Sequence, residues 1–475
     1  MSSTDDDSLK EENDDKITHF DNIDESSFQE NDYDKNLLYI KDIFFKNIKQ
    51  NIIIIILSLI LIFSEMIYRE PLYKLSLDVE EYLQNKSTKF IIVFFKIITK
   101  VGGEYLMAAP VAIVLCFFSL IQSSFYIAGL IFCLHFHSLM KIWYGNKRPF
   151  WEKKDLYQDI CDAGFGNPSG HSLSSVYLYL TLFSYLNEKK IFKGNKALKI
   201  LVFIFFLIFV FLIIFSRLIL GVHSINQVIF GSSLGLINYA LVVHMFKLHK
   251  MPISFYKSLF KQKVAVYCIS FMLIILQLLS ILSCFSFNSD SEKNYGEIID
   301  LTCGKDYPQY RRLNFDGLFG AFIVLALLGM YLGQVLFWYL IDNRYKKKKL
   351  KTNNNIDYDM NELEDDYDKN KNSKIIDELI INWNNNRSFS FFSLYNILKL
   401  LLVLIICSSP IILFIIISKK ANLAIIFVFK FGIPFFFMLF NIFSFGFYNI
   451  IEITLGSKED LLRTNSDKNT EISLI

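Results

Sequence analysis

The feature that most constrains the fold of this 475-residue chain is a series of apolar runs, each long enough to cross a lipid bilayer. A span needs about 20 mostly apolar residues of helix, and hydrophobic residues make up 53% of the chain. Because spanning segments must satisfy their backbone hydrogen bonds internally, the runs predict an all-α integral membrane protein. We predict spans near residues 51–68, 104–121, 123–142, 171–187, 198–216, 225–246, 264–285, 316–341, 396–418 and 422–448.

Residues 89–100 (KFIIVFFKIITK) form an apolar segment that is too short to cross the bilayer and that lysines interrupt. We predict a helix that lies in the membrane interface here. Lysine and arginine are enriched in cytoplasmic loops, and they cluster after the fourth, sixth and eighth predicted spans. Both termini are therefore predicted to be cytoplasmic. The loops after the third, fifth and seventh spans then face the lumen or the exterior.

Composition divides the chain into regions of different character. The N-terminal region is acidic and poor in aliphatic runs, which predicts disorder, and it lacks the basic and apolar segments of a secretory signal. A polar region rich in Lys, Asn and Asp predicts a flexible linker. In chain order, the predicted regions are a cytoplasmic tail (1–45), a six-span core (46–248), two further spans with an outer loop (249–342), a cytoplasmic linker (343–392), a two-span hairpin (393–450) and a cytoplasmic tail (451–475).

Seven cysteines include no C-x-x-C pair, so the sequence predicts neither a zinc ribbon nor a redox motif. Cys284 and Cys303 flank the outer loop between the seventh and eighth spans. A disulfide between them stays open, because it depends on an oxidising compartment. The sequon Asn85-Lys86-Ser87 falls on the predicted outer side, and glycosylation of Asn85 also stays open.

Three short segments concentrate cationic and imidazole side chains at span ends, all on the predicted outer side. KIWYGNKRPFW ends the third span, CDAGFGNPSGH opens the fourth, and SRLILGVHSINQ joins the fifth to the sixth. A single cation at a span end normally reaches the interface, and a single serine commonly caps a helix. The coincidence of three segments on one face instead predicts a common site. Its candidate residues are Lys141, Arg148, Pro149, Pro168, Ser169, Gly170, His171, Ser216, Arg217 and His223.

This set of side chains suits a phosphate group. Two arginines and a lysine supply three cations, and the guanidinium fork matches phosphate oxygens in bidentate pairs. Ser169 and Gly170 precede an apolar helix, so we expect their backbone amides to face an anion at the positive helix end. Two histidines can divide the chemistry, one attacking phosphorus and the other protonating the leaving oxygen. Three fixed cations can neutralise the phosphoryl group, and these span ends carry no carboxylate cluster, so we expect no metal and no other cofactor.

At these residues the sequence resembles the type 2 phosphatidic acid phosphatase superfamily, which includes lipid phosphate phosphatases, glucose-6-phosphatase and vanadium haloperoxidases. The family signature has three parts: Lys, six residues and Arg-Pro; then Pro-Ser-Gly-His; then Ser-Arg, five residues, His, three residues and Asp. The candidate residues named above match it in type and spacing, and the similarity covers residues 105–245. The resemblance implies a six-helix phosphatase core, followed here by about four additional transmembrane helices.

The resemblance also implies a role for each residue of the site. His223 is the expected nucleophile, which becomes a phosphohistidine, and His171 is the expected general acid for the leaving group. The residues expected to hold the phosphate oxygens are Lys141, Arg148, Ser169, Gly170 and Arg217.

One position departs from the signature, because Gln227 stands where the common pattern has Asp. It lies four residues after His223 and therefore on the same helix face. An aspartate there would orient the imidazole and stabilise its cation, whereas a glutamine carbonyl orients it without adding charge. The glucose-6-phosphatase branch resembles this chain at Gln227, at 148–151 and at 161–171. We therefore expect an active enzyme in which Gln227 orients the nucleophile.

The expected function is metal-independent hydrolysis of a phosphate monoester on the lumenal or extracellular face, in the endoplasmic reticulum or the plasma membrane. Lipid phosphates, of the phosphatidate or sphingoid phosphate type, are the first expected substrates. The expected partners are this substrate and membrane lipid, with no nucleic acid. A sugar phosphatase similar to glucose-6-phosphatase is one alternative, and an inactive relative that binds or transports at the membrane is another.

Four polar residues near the motifs carry weaker signals. His135 and His137 lie within the third span, and each is expected either to serve the site or to form a hydrogen bond in the core. If His137 serves the site, it is expected to support Lys141. Glu65, near the end of the first span, is expected at the interface, and Asn167 is a candidate substrate contact.

Overall fold

The computed structural model describes residues 52–102, 108–153, 156, 164–189, 191–192, 194–245, 247–248, 251, 253–287, 297–298, 324–325, 327–336, 338–339 and 400–401. Within these ranges the regular structure is helical, which confirms the all-α membrane class. The described helices are α1 (Ile52–Phe63), α2 (Glu65–Lys86), α3 (Lys89–Gly102), α4 (Ala108–Phe117), α5 (Leu120–Tyr144), α6 (Pro149–Glu152), α7 (Gly170–Glu188), α8 (Lys196–Ile219), α9 (Ile225–Tyr239) with a π-helical continuation (Ala240–Met245), α10 (Ile253–Lys261), α11 (Lys263–Phe287) and α12 (Leu327–Leu336).

Four of the described helices are long and apolar enough to cross a membrane, or five if α1 and α2 form one bent span. The predicted third, fourth, fifth, sixth and seventh spans correspond to α5, α7, α8, α9 with its continuation, and α11. Helix α7 is not among the four, because it is rich in Ser and Tyr. It packs against α5, α8 and α9 in the centre of the bundle, so its surface meets protein rather than lipid.

Several predictions fall outside the described residues. These are nearly all of the ninth span, the tenth span, the linker, both tails and Cys303. The region boundaries and the glycosylation of Asn85 stay predictions.

The predicted first span, 51–68, is wrong at its C-terminal end. Helix α1 ends at Phe63, and α2 begins at Glu65 after a bend of 67°. The sequence becomes rich in charged residues from Glu65 onward, and charged side chains are costly to carry through lipid. Helix α2 therefore continues to Lys86 as a polar helix, which the apolar runs of the sequence do not predict.

Helix α3 confirms that residues 89–100 are helical, but its position differs from the predicted interfacial one. Ile92 packs against the buried cluster that contains Val222, just beyond the end of α8. Ile98 packs against the cluster that contains Ile213, within α8. Helix α3 therefore runs antiparallel to α8 and begins near the C-terminal end of α8.

Two glycines allow the central helices to approach closely. A Cβ atom on Gly231 would lie 2.4 Å from the carbonyl oxygen of Ser169, and one on Gly235 would lie 2.4 Å from that of Leu173. The two glycines lie on α9, four residues apart and on one face, and small residues at this spacing are typical of close helix pairs in membranes. Helix α9 is thereby brought directly against the N-terminal half of α7, where the second motif lies.

Candidate active site

The three motif segments are placed at neighbouring helix ends. Lys141 lies in the last turn of α5, which Gly145 terminates with a left-handed backbone (φ 57°). Arg148 and Ser169 occupy the N-cap positions of α6 and α7, and His223 lies in the short loop between α8 and α9. The first, second and third motifs are therefore carried by helices that pack together in the centre of the bundle.

Arg148 forms contacts that join the three motif segments. Its side chain is fully buried, and its Nε donates to the carbonyl oxygen of Gly164 at 2.5 Å. Its Nη1 donates to the carbonyl oxygen of Val222 at 3.0 Å and lies 3.4 Å from Nε2 of His223. The guanidinium of the first motif thus fixes the loop before the second motif and faces the imidazole of the third.

The amide of Gln227 fixes the tautomer of His223. Its Nε2 donates to the carbonyl oxygen of Lys147 at 2.8 Å, so its Oε1 must point the other way. Oε1 lies 3.1 Å from Nδ1 of His223 and also accepts the backbone N–H of Ser224 at 3.3 Å. An acceptor at Nδ1 requires the proton on Nδ1, which leaves the Nε2 lone pair directed at Arg148. The direct contact between Gln227 and His223 therefore supports the predicted orienting role of Gln227.

Gly166 leaves the space that the Gln227 amide occupies. A Cβ atom at residue 166 would lie 2.4 Å from Nε2 and 2.5 Å from Oε1 of Gln227, closer than real Cβ contacts. The backbone N–H of Gly166 donates to the carbonyl oxygen of Asn146 at 2.8 Å, which joins the first and second motif loops. A side chain at residue 166 would therefore displace the group that orients His223.

A tight turn presents His223 after α8. The carbonyl oxygen of Arg217 accepts the backbone N–H groups of Val222 at 3.1 Å and His223 at 3.3 Å. Gly221 provides the left-handed backbone (φ 65°) that this turn requires. The five-residue spacing between Arg217 and His223 in the third motif is the length of this turn.

The electrostatic environment keeps His223 neutral. The imidazole is 2% exposed, and burial lowers its pKa well below the usual value of 6.5. The charges of Arg148, Arg217 and Lys141 lower the pKa of His223 further, while the hydrogen bond to Gln227 acts in the opposite direction. All three predicted cations therefore lower the pKa of the predicted nucleophile, His223. A neutral imidazole is the form that can attack phosphorus.

The expectation for the Ser169 amide was wrong. The backbone N–H of Ser169 donates to the carbonyl oxygen of Gln227 at 3.1 Å, so it does not face an anion. The side chain remains suited to a phosphate, because its Oγ accepts from Ser172 at 3.0 Å and keeps its own proton to donate. Ser169 thus offers its hydroxyl rather than its main chain.

Gly170 and His171 form the first turn of α7. The ring of His137 lies against Gly170, since a Cβ atom there would be 2.7 Å from His137 Nε2. His137 therefore packs against the second motif. The Nε2 of His135 lies 3.1 Å from Oγ of Ser280, on α11. His135 is therefore a hydrogen-bonded core residue that joins α5 to α11.

Arg217 is bonded to a helix outside the motifs. Its Nη1 donates to Oγ1 of Thr99 at 2.5 Å, and both side chains are buried. Thr99 lies on α3, and no pattern in the sequence distinguishes it from an ordinary threonine in an apolar helix. Lys141 is also buried.

Glu65 was expected at the interface but is fully buried beside the motif loops. It forms an ion pair with Arg69 and accepts from Nδ2 of Asn167 at 2.8 Å. Asn167 Nδ2 also contacts Oδ1 of Asn146 at 3.1 Å, so Asn167 joins the first and second motif loops, and its contact with substrate stays a prediction. A carboxylate directly after an apolar run was the signal that could have identified Glu65.

Potential metal ligands are not grouped in the part of the chain that the structure describes: no three His, Cys, Asp or Glu side chains lie together there. The predicted site residues instead supply cations, imidazoles and a hydroxyl.

A family model and a solved structure each match part of this chain. Residues 108–251 match the family model described as the PAP2 superfamily, a range that contains all three motifs, and this confirms the resemblance. Among solved structures, the chain is similar to a transmembrane PAP2-type phosphatidylglycerolphosphate phosphatase from Bacillus subtilis, with 20% identity and a TM-score of 0.35. That match covers 40% of this chain and 92% of the other. No curated protein matches the sequence.

Proposed function

We propose that this chain is a membrane phosphatase that hydrolyses phosphate monoesters through a phosphohistidine intermediate on His223. The observation that carries the proposal is the fixed imidazole. Gln227 holds the proton on Nδ1, and the Nε2 lone pair faces the Arg148 guanidinium, where a phosphoryl group would be bound. The match of residues 108–251 to the PAP2 superfamily supports a phosphatase.

The proposed reaction has two steps. Nε2 of His223 attacks phosphorus, the P–O bond to the leaving group breaks, and protonated His171 gives its proton to the departing oxygen. The phosphorylated imidazole is then cationic, and its Nδ1–H stays bonded to the carbonyl of Gln227. In the second step His171 takes a proton from water, the oxygen attacks phosphorus and the P–N bond breaks. Inorganic phosphate leaves and His223 is neutral again.

We propose lipid phosphates as the substrate class. Arg217 is held by Thr99 on α3, and the other side of this helix exposes Phe90 (78%), Val93 (50%) and Ile97 (57%). In a bilayer such a face meets lipid. Helix α3 therefore lies between Arg217, the proposed phosphate-binding cation, and the lipid. This proximity supports a lipid substrate whose phosphate headgroup approaches from the membrane.

A sugar phosphate is the second candidate. Gln227 favours it, because the glucose-6-phosphatase branch resembles this chain at that position. The Gln227 side chain donates to the Lys147 carbonyl oxygen through an amide N–H that an aspartate lacks. An aspartate at this position could not make the same contact. The substrate panel described next separates the two candidates.

We expect the purified protein in detergent or vesicles to release inorganic phosphate in the presence of EDTA. Three cations from the protein replace the charge that a metal would supply, so the chelator should not lower the rate. Orthovanadate, a pentacoordinate phosphate mimic, should inhibit. The measurement is phosphate release from phosphatidate, sphingoid phosphate and glucose 6-phosphate. Preference for glucose 6-phosphate would replace the lipid proposal. Release from none of them would leave an inactive binding or transport protein.

A pH profile should report the state of His223. Because its pKa is lowered below 6.5, the imidazole stays neutral at pH 6.5, and the acid limb of kcat/KM that it governs should lie below that pH. Gln227→Glu adds a negative charge beside Nδ1, which favours the imidazolium and should move this limb to higher pH. Gln227→Met is the matched control without charge and should lower kcat without moving the limb upward. An unmoved acid limb in Gln227→Glu would contradict the assignment.

A further inference from the structure

The hairpin of α2 and α3 contacts all three motif segments, although it lies outside the residues that match the family model. Helix α2 reaches the first and second motifs through Glu65 and Asn167. Helix α3 reaches the third motif through Thr99. Further polar contacts are Tyr73 Oη with the Arg148 carbonyl oxygen at 3.3 Å, the Ile225 N–H with Ser76 Oγ at 2.9 Å, and Gln84 Nε2 with the Ile219 carbonyl oxygen at 3.0 Å.

Among these contacts, the one from Thr99 ends on a side chain that the proposed reaction uses. We propose that Thr99 is a positioning residue for phosphate binding, which holds the Arg217 guanidinium in the orientation that bonds to phosphate oxygens require. This inference rests on the proposed function of the site. Thr99 acts through Arg217 and does not itself touch the substrate.

The chemistry of the acceptor suits this role. An arginine side chain loses rotamer entropy when it is fixed, so a prepositioned guanidinium binds phosphate more tightly than a mobile one. A carboxylate could fix it too, but its charge would neutralise the guanidinium and compete with the phosphate. A hydroxyl oxygen accepts one N–H and leaves the positive charge available.

The packing around Thr99 keeps the acceptor in place. The ring of Phe95, one turn earlier on α3, lies 5.6 Å from that of Phe215 on α8 in an edge-on contact. Ile98 packs against the cluster that contains Ile213. The hydroxyl of Thr99 and the backbone of Arg217 are thus carried by two helices that pack directly against each other.

Thr99→Val tests the inference, because valine keeps the shape of threonine and removes the acceptor. We expect kcat/KM to fall about tenfold, the order expected when a hydrogen bond to a charged group is lost, and the inhibition constant of orthovanadate to rise by a similar factor. Thr99→Ser keeps the hydroxyl and should restore both values. Thr88→Val, which removes an exposed hydroxyl at the start of α3, is the control and should leave both unchanged.

A double-mutant cycle with Arg217→Lys separates positioning from general stability. If Thr99 acts through Arg217, Thr99→Val should add little in the Arg217→Lys background. An undiminished effect there, an unchanged Thr99→Val protein, or equal losses in Thr99→Val and Thr99→Ser would overturn the inference. Thermal stabilisation by orthovanadate provides a readout without turnover. A wild-type protein that binds orthovanadate but releases no phosphate would therefore refute the proposed function while still testing Thr99.

Discussion

His223→Ala is expected to abolish phosphate release, lowering kcat by at least about 10⁴-fold, as when a nucleophile that acts within a catalytic unit is removed. Alanine deletes the Nε2 lone pair that faces Arg148 at 3.4 Å, so the covalent step has no nucleophile. It also removes one of the two partners of Gln227 Oε1, while the bond from Gln227 to Lys147 remains to hold the loop. The measurement is steady-state phosphate release from the preferred substrate of the panel.

His244→Ala is the matched control for this loss. Its imidazole contacts the Tyr239 hydroxyl at 2.7 Å, at the far end of the helix that follows His223. This variant should retain kcat within about threefold, the usual range for a change away from the reacting groups. Comparable activity in His223→Ala and wild type would show that another group attacks phosphorus.

Arg148→Lys is expected to lower kcat/KM by about 100- to 1000-fold, the range that corresponds to losing two hydrogen bonds from a charged group. An ammonium group keeps the charge but lacks the planar fork. It does not reproduce the simultaneous contacts with Gly164, Val222 and His223. Because Arg148 is fully buried, thermal unfolding must be measured beside the kinetics.

Lys147→Gln is the control for Arg148→Lys, since it changes the adjacent cation, whose side chain is 45% exposed and lies 3.8 Å from Glu152. The carbonyl of Lys147 that holds Gln227 is retained in this variant. We expect nearly unchanged kcat/KM. An Arg148→Lys protein with wild-type kcat/KM would contradict the place given to Arg148 in the site.

The apolar runs and the motif spacing predicted much of what the structure contains. Helices α5, α8, α9 and α11 coincide with predicted spans, because membrane spans need long apolar segments. Two predicted site residues, Arg148 and Gln227, contact His223, and the charges of Lys141 and Arg217 lower its pKa. Motif spacing worked here because each motif is one short loop at a helix end.

The remaining features depend on contacts that sequence patterns do not encode. The orientation of the Gln227 amide is set by a backbone carbonyl, and every residue carries one. The amide of Ser169 is occupied by another backbone carbonyl. Helix α2 is polar and gives no apolar-run signal, although it buries Glu65 against the second motif. The bond from Thr99 to Arg217 joins residues 118 positions apart.

Trapping the phosphorylated enzyme tests the central claim most directly. Substrate carrying a radioactive phosphate is mixed with the protein, quenched in alkali during the first turnover, and separated under denaturing conditions. A phosphohistidine is a phosphoramidate, so the label on the wild-type protein should survive alkali, be released by acid and be absent from His223→Ala. Turnover without any bound label, or an alkali-stable and acid-labile label that persists in His223→Ala, would contradict the account.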